Sequence, residues 1–78
     1  MKIDHNLSQP VYLQLAAQLR ERIIFGQLTS RLPSLTELST QTGLSIGTVR
    51  HAIRVLAREN RVRTEPGRGI FVIGEGKR

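Results

Sequence analysis

Arg50, Arg54 and Arg58 stand four residues apart. On a helix that spacing stacks them on one face, where like charges repel by about a few tenths of a kcal/mol per pair. Nothing nearby offsets them, because Glu59 is the only acid between residues 46 and 59. An uncompensated cationic ridge suits a polyanion: phosphate oxygens, and guanine edges, which arginine can engage with two hydrogen bonds. A solvated arginine face is the plain alternative. Arg61, Arg63 and Arg68 follow, with Arg68 set between Gly67 and Gly69. Glycine lets backbone come close to a surface, and a lone arginine fits a narrow minor groove. Alone, this turn would be an ordinary one with a solvated arginine; its place after a basic helix favours contact.

Other chemistry lacks its parts. The chain has no cysteine, which excludes disulfides, thiolate metal sites and a cysteine nucleophile. His5 beside Asp4 has no further partners in the sequence. No paired acid and base, no nucleophile with a base and no metal-ligand spacing is present. The glycines at 66–69 lead into a strand rather than a helix, so they do not form a nucleotide loop. The expectation is a protein without catalysis, metal or cofactor.

A cationic ridge needs a helix to carry it and a frame to hold that helix, and residues 32–59 supply both. Pro33 blocks helical continuation upstream, and Ser34 with Glu37 has capping-box spacing. Leu35, Leu38 and Ser39 face inward. Gly43 ends this helix where left-handed backbone costs nothing. Ser45 caps the next helix, whose Val49, Ala52, Ile53 and Leu56 form one apolar stripe at i, i+3, i+4 and i+7. With only Leu44 and Ser45 between Gly43 and that second helix, the pair must turn sharply, as in a helix-turn-helix. When the stripe is buried, Gly47, His51, Arg54 and Arg58 point away and Arg50 lies on the flank.

The 78 residues make one small domain with a modest core, and the net charge of +6 is unevenly spread. Residues 1–44 hold four cations against three acids, residues 45–78 eight against three. Positive charge concentrated on the second helix and beyond points to nucleic acid. An anionic membrane fits less well, because the apolar side of the basic helix is needed for the domain's own core. No signal peptide or membrane-spanning run is visible, so the expected location is the cytoplasm, at the nucleoid.

In chain order, residues 1–9 read as a polar arm with Ile3 and Leu7 as anchors. A first helix runs from Pro10 to Phe25, with Ser8 as N-cap and Gly26 as terminator. Tyr12, Leu15, Ala16, Leu19 and Ile23 should pack on the helix-turn-helix. Leu13, Ala17 and Ile24 form a thinner strip on the far side: a partner or dimer surface, or else incidental apolar exposure or a seat for residues 1–9. Within the connector Gln27–Pro33, Leu28 and Leu32 could supply one short edge strand. Asn60 caps the third helix. Residues 61–65 and 70–73 then alternate as a β-hairpin about the 66–69 turn, and residues 74–78 read as a flexible tail. The fold class is mainly α with a small β-hairpin: a winged helix-turn-helix of three helices and a two- to three-stranded wing, spanning residues 10–73.

These parts resemble the DNA-binding domain of the GntR family of bacterial transcriptional regulators. The resemblance is carried by Pro10-Val11-Tyr12-Leu13-Gln14-Leu15, Gly26-Gln27-Leu28, Leu32-Pro33-Ser34 and Glu37-Leu38. It continues through Gly43-Leu44-Ser45, Thr48-Val49-Arg50, Ala52-Ile53 and the wing from Pro66 to Val72. Ile3-Asp4 and the Pro-Val-Tyr start look most like the branch with small effector domains. The resemblance implies that Ser45, Thr48 and Arg50 meet double-stranded DNA, with helix 46–59 in the major groove. The wing at 65–70 would enter the minor groove through Gly67, Arg68 and Gly69. The full expected set adds Ser34, Thr36, Ile46, Gly47, His51, Arg54, Arg58 and Arg63. A homodimer on a palindromic operator and a repressor role are implied with it. A winged helix used as a protein-interaction module is the alternative, but it calls for a neutral reading helix and an apolar outer face.

The sequence departs from the family where specificity is set. Leu35 and Thr36 stand where members usually carry an acid and then an arginine, and Ile46-Gly47 follows Ser45 where many carry arginine or another polar residue. Ile46 can touch a thymine methyl but cannot donate to guanine. Gly47 costs about 1 kcal/mol of helix stability against alanine, which suits a close approach of backbone to DNA. The connector Thr29-Ser30-Arg31 is also shorter than the usual form. Members normally continue into a ligand-binding and dimerising domain. This chain stops at Arg78, as a stand-alone protein or an excised domain would, and no effector pocket is expected in it.

Overall fold

The computed structural model describes residues 3–6 and 8–73. Leu7 and the expected tail at 74–78 lie outside the described residues. Three helices come first, α1 (Val11–Ile24), α2 (Leu35–Thr42) and α3 (Ile46–Arg58), followed by β1 (Val62–Glu65) and β2 (Gly69–Val72). The strands pair antiparallel, Val62 opposite Val72 and Glu65 opposite Gly69. This is the winged helix-turn-helix expected from the sequence.

Local chemistry sets the helix ends. At α2, Ser34 Oγ accepts from the Glu37 N–H at 3.0 Å and Glu37 Oε1 accepts from the Ser34 N–H at 2.8 Å, the reciprocal capping box. Gly43 closes α2 in the left-handed region at φ 76°, and Asn60 takes the same region after α3 at φ 61°. The start of α1 differs from expectation. The cap residue is Pro10, no side chain caps the helix, and Ser8 lies two residues outside it. Pro10 is extended at ψ 144°, and its carbonyl accepts from Leu13 and Gln14. A proline fixed there defines the first turn and leaves a serine further out no N–H within reach. The last helical residue is Ile24, with Phe25 the cap. Beyond it the Gly26 N–H donates to Ile23 O and the Gln27 N–H to Arg22 O, the paired bonds of a Schellman stop.

The core lies where α1 crosses α3. Leu15, Ala16 and Leu19 of α1 are fully buried against Val49, Ala52, Ile53 and Leu56 of α3, with Leu38, Leu32, Val62 and Ile70 closing the sides. The stripe read from the sequence is thus the buried face. The edge strand contributes one bridge, Arg31 opposite Phe71, flanked by Leu32 N–H to Ile70 O at 2.9 Å and Val72 N–H to Ser30 O at 2.6 Å. Pro33 has no N–H to donate, and Ser34 already begins the next helix, so a strand has no room to extend.

Gln14 is the unanticipated core residue. It is buried, and its amide Oε1 accepts from the Asp4 N–H while Nε2 donates to the carbonyls of Asp4 and Gln9, all at 2.8–3.0 Å. A buried amide is tolerated only when its hydrogen bonds are made, and these three tie the arm to α1. Leu13 and Ala17 are half-buried, and Ala17 lines the hollow beneath the arm. Ile24 and Phe25 stay exposed at the end of α1.

Candidate nucleic-acid interface

The site begins with the N-terminus of α3. Ser45 Oγ accepts from the Thr48 N–H at 3.1 Å and lies 3.0 Å from Thr48 Oγ1, so both hydroxyls help define the first turn. Ile46 beside them is 40% exposed, large for an isoleucine with a core within reach. Gly47 is exposed, and a methyl group there would meet Ser45 Oγ at 3.9 Å, an ordinary contact. Nothing inside the domain therefore requires glycine at this position.

Arg50, Arg54 and Arg58 are all exposed, and among the described residues none of them is in an ion pair. The acid at the end of the helix turns the other way. Glu59 takes two hydrogen bonds from Arg20 of α1, at 2.9 and 2.7 Å, and one from Arg61 at 3.0 Å. Hydrogen bonds from Arg20, with a further one from Arg61, hold the Glu59 carboxyl below its usual range, and Glu59 in turn raises Arg20. The ridge is therefore left uncompensated while Glu59 fastens α3 to α1.

The wing is balanced differently. Glu65 accepts from Arg63 at 2.6 Å and lies 3.6 Å from Arg68. The Arg63 hydrogen bond is the chief cause of its lowered pKa, with Arg68 adding a smaller electrostatic effect. Arg63 also lies over the Phe71 ring, 5.7 Å from its centroid. The tip arginine thus shares its acid with a second cation. Gly67 and Gly69 both have positive φ, 77° and 131°, which only glycine adopts readily.

The remaining expected residues are dispersed. His51 is exposed, but its ring stacks on Tyr12 of α1 with centroids 3.7 Å apart and planes within 7°. One imidazole face therefore serves the α1–α3 junction. Ser34 is half-buried with its hydroxyl spent on the cap, and Thr36 is exposed on α2. Two grooves join these parts. One of about 280 Å³ runs between α2, α3 and the wing, floored by Leu35, Ile53 and Ile70 and rimmed by Arg50 and Arg54. Another of about 390 Å³ runs beside the wing and includes Arg31, Ser34, Thr64 and Arg68. Arg31 escapes a reading of the sequence because contacts distant along the chain, the Arg31–Phe71 bridge and its flanking hydrogen bonds, carry it to the wing. Its one local signal is alternation: it precedes the buried Leu32 and so faces outward.

A further hollow, about 690 Å³, lies under the N-terminal arm and is lined by Ile3, Asp4, Gln14 and Ala17 among others. Among the described residues, no group of three His, Cys, Asp or Glu side chains is placed to hold a metal ion, and no helix is long and apolar enough to cross a membrane.

Comparison with known proteins bears on this arrangement. Residues 11–72 match the family described as bacterial regulatory proteins, gntR family. The chain is 33% identical over 79 residues to the HTH-type transcriptional repressor YtrA of Bacillus subtilis, covering 99% of this chain and 61% of that protein. It is 36% identical over 66 residues to the mannosyl-D-glycerate transport/metabolism system repressor MngR of Escherichia coli, covering 82% of this chain and 28% of that protein. YtrA from Sulfolobus acidocaldarius, a GntR-family transcription factor, superposes with a TM-score of 0.86 at 34% identity, over 95% of this chain and 80% of that one. The AraR DNA-binding domain in complex with operator ORX1 superposes with a TM-score of 0.85 at 28% identity, over 92% and 93% of the two chains. These relatives are transcription factors rather than enzymes. With the family matched across all three helices and both strands, the chain belongs to the GntR family of bacterial regulatory proteins.

Proposed function

We propose that this chain is the DNA-binding unit of a transcriptional regulator, specific for sequence and acting as a repressor at the nucleoid. The observation that carries this is the exposed Arg50, Arg54 and Arg58 ridge on the second helix of a helix-turn-helix, unpaired among the described residues while nearby Glu59 is turned to α1. The operator-bound AraR domain and the repressors YtrA and MngR support the same reading.

In it, α3 enters the major groove by its N-terminal turn, the part of a recognition helix that reaches base edges. Ile46 offers its methyls to thymine, Arg50 and His51 offer donors, and Ser45 and Thr48 fix the turn. Gly47 lets backbone come close. Arg54, Arg58 and Arg63 serve phosphates, Ser34 and Thr36 the adjacent backbone, and Gly67-Arg68-Gly69 the minor groove. One such module buries only about 600–1,000 Å² on DNA. Two copies on a palindrome, with half-sites about 34–36 Å apart or a multiple of that, would supply useful specificity.

Gel-shift titration at two salt concentrations is the test. Binding that weakens steeply with salt is expected for this many phosphate contacts. Absence of binding to any duplex at low salt would favour a protein-interaction module instead.

A further inference from the structure

Among the described basic residues of the wing region, the one without an acid is not on the wing. Arg63 and Arg68 share Glu65, at 2.6 and 3.6 Å. Arg31 comes from the connector before α2 and is exposed, with no ion pair among the described residues. Its backbone is fixed beside β2 by the bridge to Phe71 and by the flanking Leu32 N–H to Ile70 O bond. Because Phe71 pairs with Arg63 on its other side, Arg31 and Arg63 flank Phe71 across one face of the hairpin. From there the Arg31 side chain lies across Gly69: a methyl group on Gly69 would sit 2.9 Å from Nε and 3.4 Å from Cζ. The glycine beside the tip arginine therefore leaves room for a second guanidinium. Arg31 and Arg68 also line one groove with Ser34 and Thr64.

The geometry points to Arg31 as a DNA-contacting residue that engages a backbone phosphate where the wing meets the duplex. This rests on the DNA-binding reading above. Three features carry it. The backbone that carries it is fixed against β2 and its side chain already lies over Gly69, beside the wing tip. It is free of the acid that occupies Arg63 and Arg68. Its groove opens beside the wing tip, where a phosphate rather than a base edge would sit if the wing follows a minor groove. Arg31 and Arg68 are then a pair, with Arg68 reaching in and Arg31 bracing the strand outside.

The test uses the full chain and a duplex recovered by selection from a random pool, with a scrambled duplex beside it. Arg31→Ala and Arg31→Lys are compared with Arg50→Ala, after thermal melting has shown each variant folded. Arg31→Ala should weaken binding to both duplexes by a similar factor, about threefold to tenfold, and reduce the salt slope by about one unit. Arg31→Lys should restore most of that slope. Wild-type affinity and slope for Arg31→Ala, with Arg50→Ala impaired, would overturn the role of Arg31 alone. A loss confined to the selected duplex would overturn the phosphate assignment in favour of a base contact. If Arg50→Ala also binds as wild type, the assignment of α3 as the reading helix fails instead, and if the wild type binds neither duplex at low salt, the DNA-binding reading itself fails.

Discussion

Gly47 is where stability and binding pull apart at the scale of single residues. Alanine fits there in the free protein, with its methyl 3.9 Å from Ser45 Oγ, and glycine inside a helix is about 1 kcal/mol worse than alanine. Gly47→Ala should therefore raise stability by up to about 1 kcal/mol in denaturant titration while lowering affinity for a selected duplex. A variant that is both more stable and binds at least as well would remove the reason offered for glycine here. Glu65 gives a second residue-level expectation. It is the acid that Arg63 and Arg68 share, so Glu65→Gln should tighten DNA binding severalfold at low salt and steepen its salt dependence. Fluorescence anisotropy across a salt series would show this, and weaker binding would mean that Glu65 orders the wing rather than restraining its charge.

At the scale of elements, α3 is useful only if it is held firmly, and α1 holds it. Leu15, Ala16 and Leu19 bury against its stripe, Tyr12 stacks on His51, and Arg20 grips Glu59. Leu19→Ala should cost about 2–5 kcal/mol, much of what a domain this small has. The Arg20–Glu59 pair contributes less, because both side chains are about a third exposed to screening solvent; Glu59→Gln should cost about 0.5–1 kcal/mol near neutral pH. Its pH dependence has a definite sign. Glu59 has a lowered pKa in the folded state, so its contribution is complete above the unfolded carboxylate value of about 4.3 and fades as pH falls through the lower folded value. Wild type and Glu59→Gln should therefore differ in melting temperature at about pH 6 and converge only once the pH has fallen below the lowered folded value. A difference that persists unchanged into strong acid would show that Glu59 acts through packing rather than charge.

Across the whole molecule, what could be read from the sequence followed the range of the interactions. The capping box at Ser34, the turn at Gly43 and the stripe from Val49 to Leu56 are set by neighbours within one or two helical turns, and each stands where expected. The hairpin was legible because β-prone runs flank a glycine turn. Contacts that close over long stretches of chain were not: Gln14 reaching Asp4, Tyr12 meeting His51, and Arg31 lying on Gly69. A serine two residues before a proline has the composition of a cap, but the extended Pro10 becomes the cap residue and leaves Ser8 outside the helix. Of the expected interface, α3 and the wing fall on one continuous surface joined by grooves, while Ser34 and His51 are partly committed to the fold itself. Whether the outer face of α3 reads base pairs is decided most directly by selection from a random DNA pool with wild type and Arg50→Ala run side by side. Wild type should enrich one motif with two-fold symmetric half-sites, and Arg50→Ala should lose preference at one base pair within each half. No enrichment by wild type, or the same motif at the same affinity from Arg50→Ala, would mean that α3 does not read base pairs.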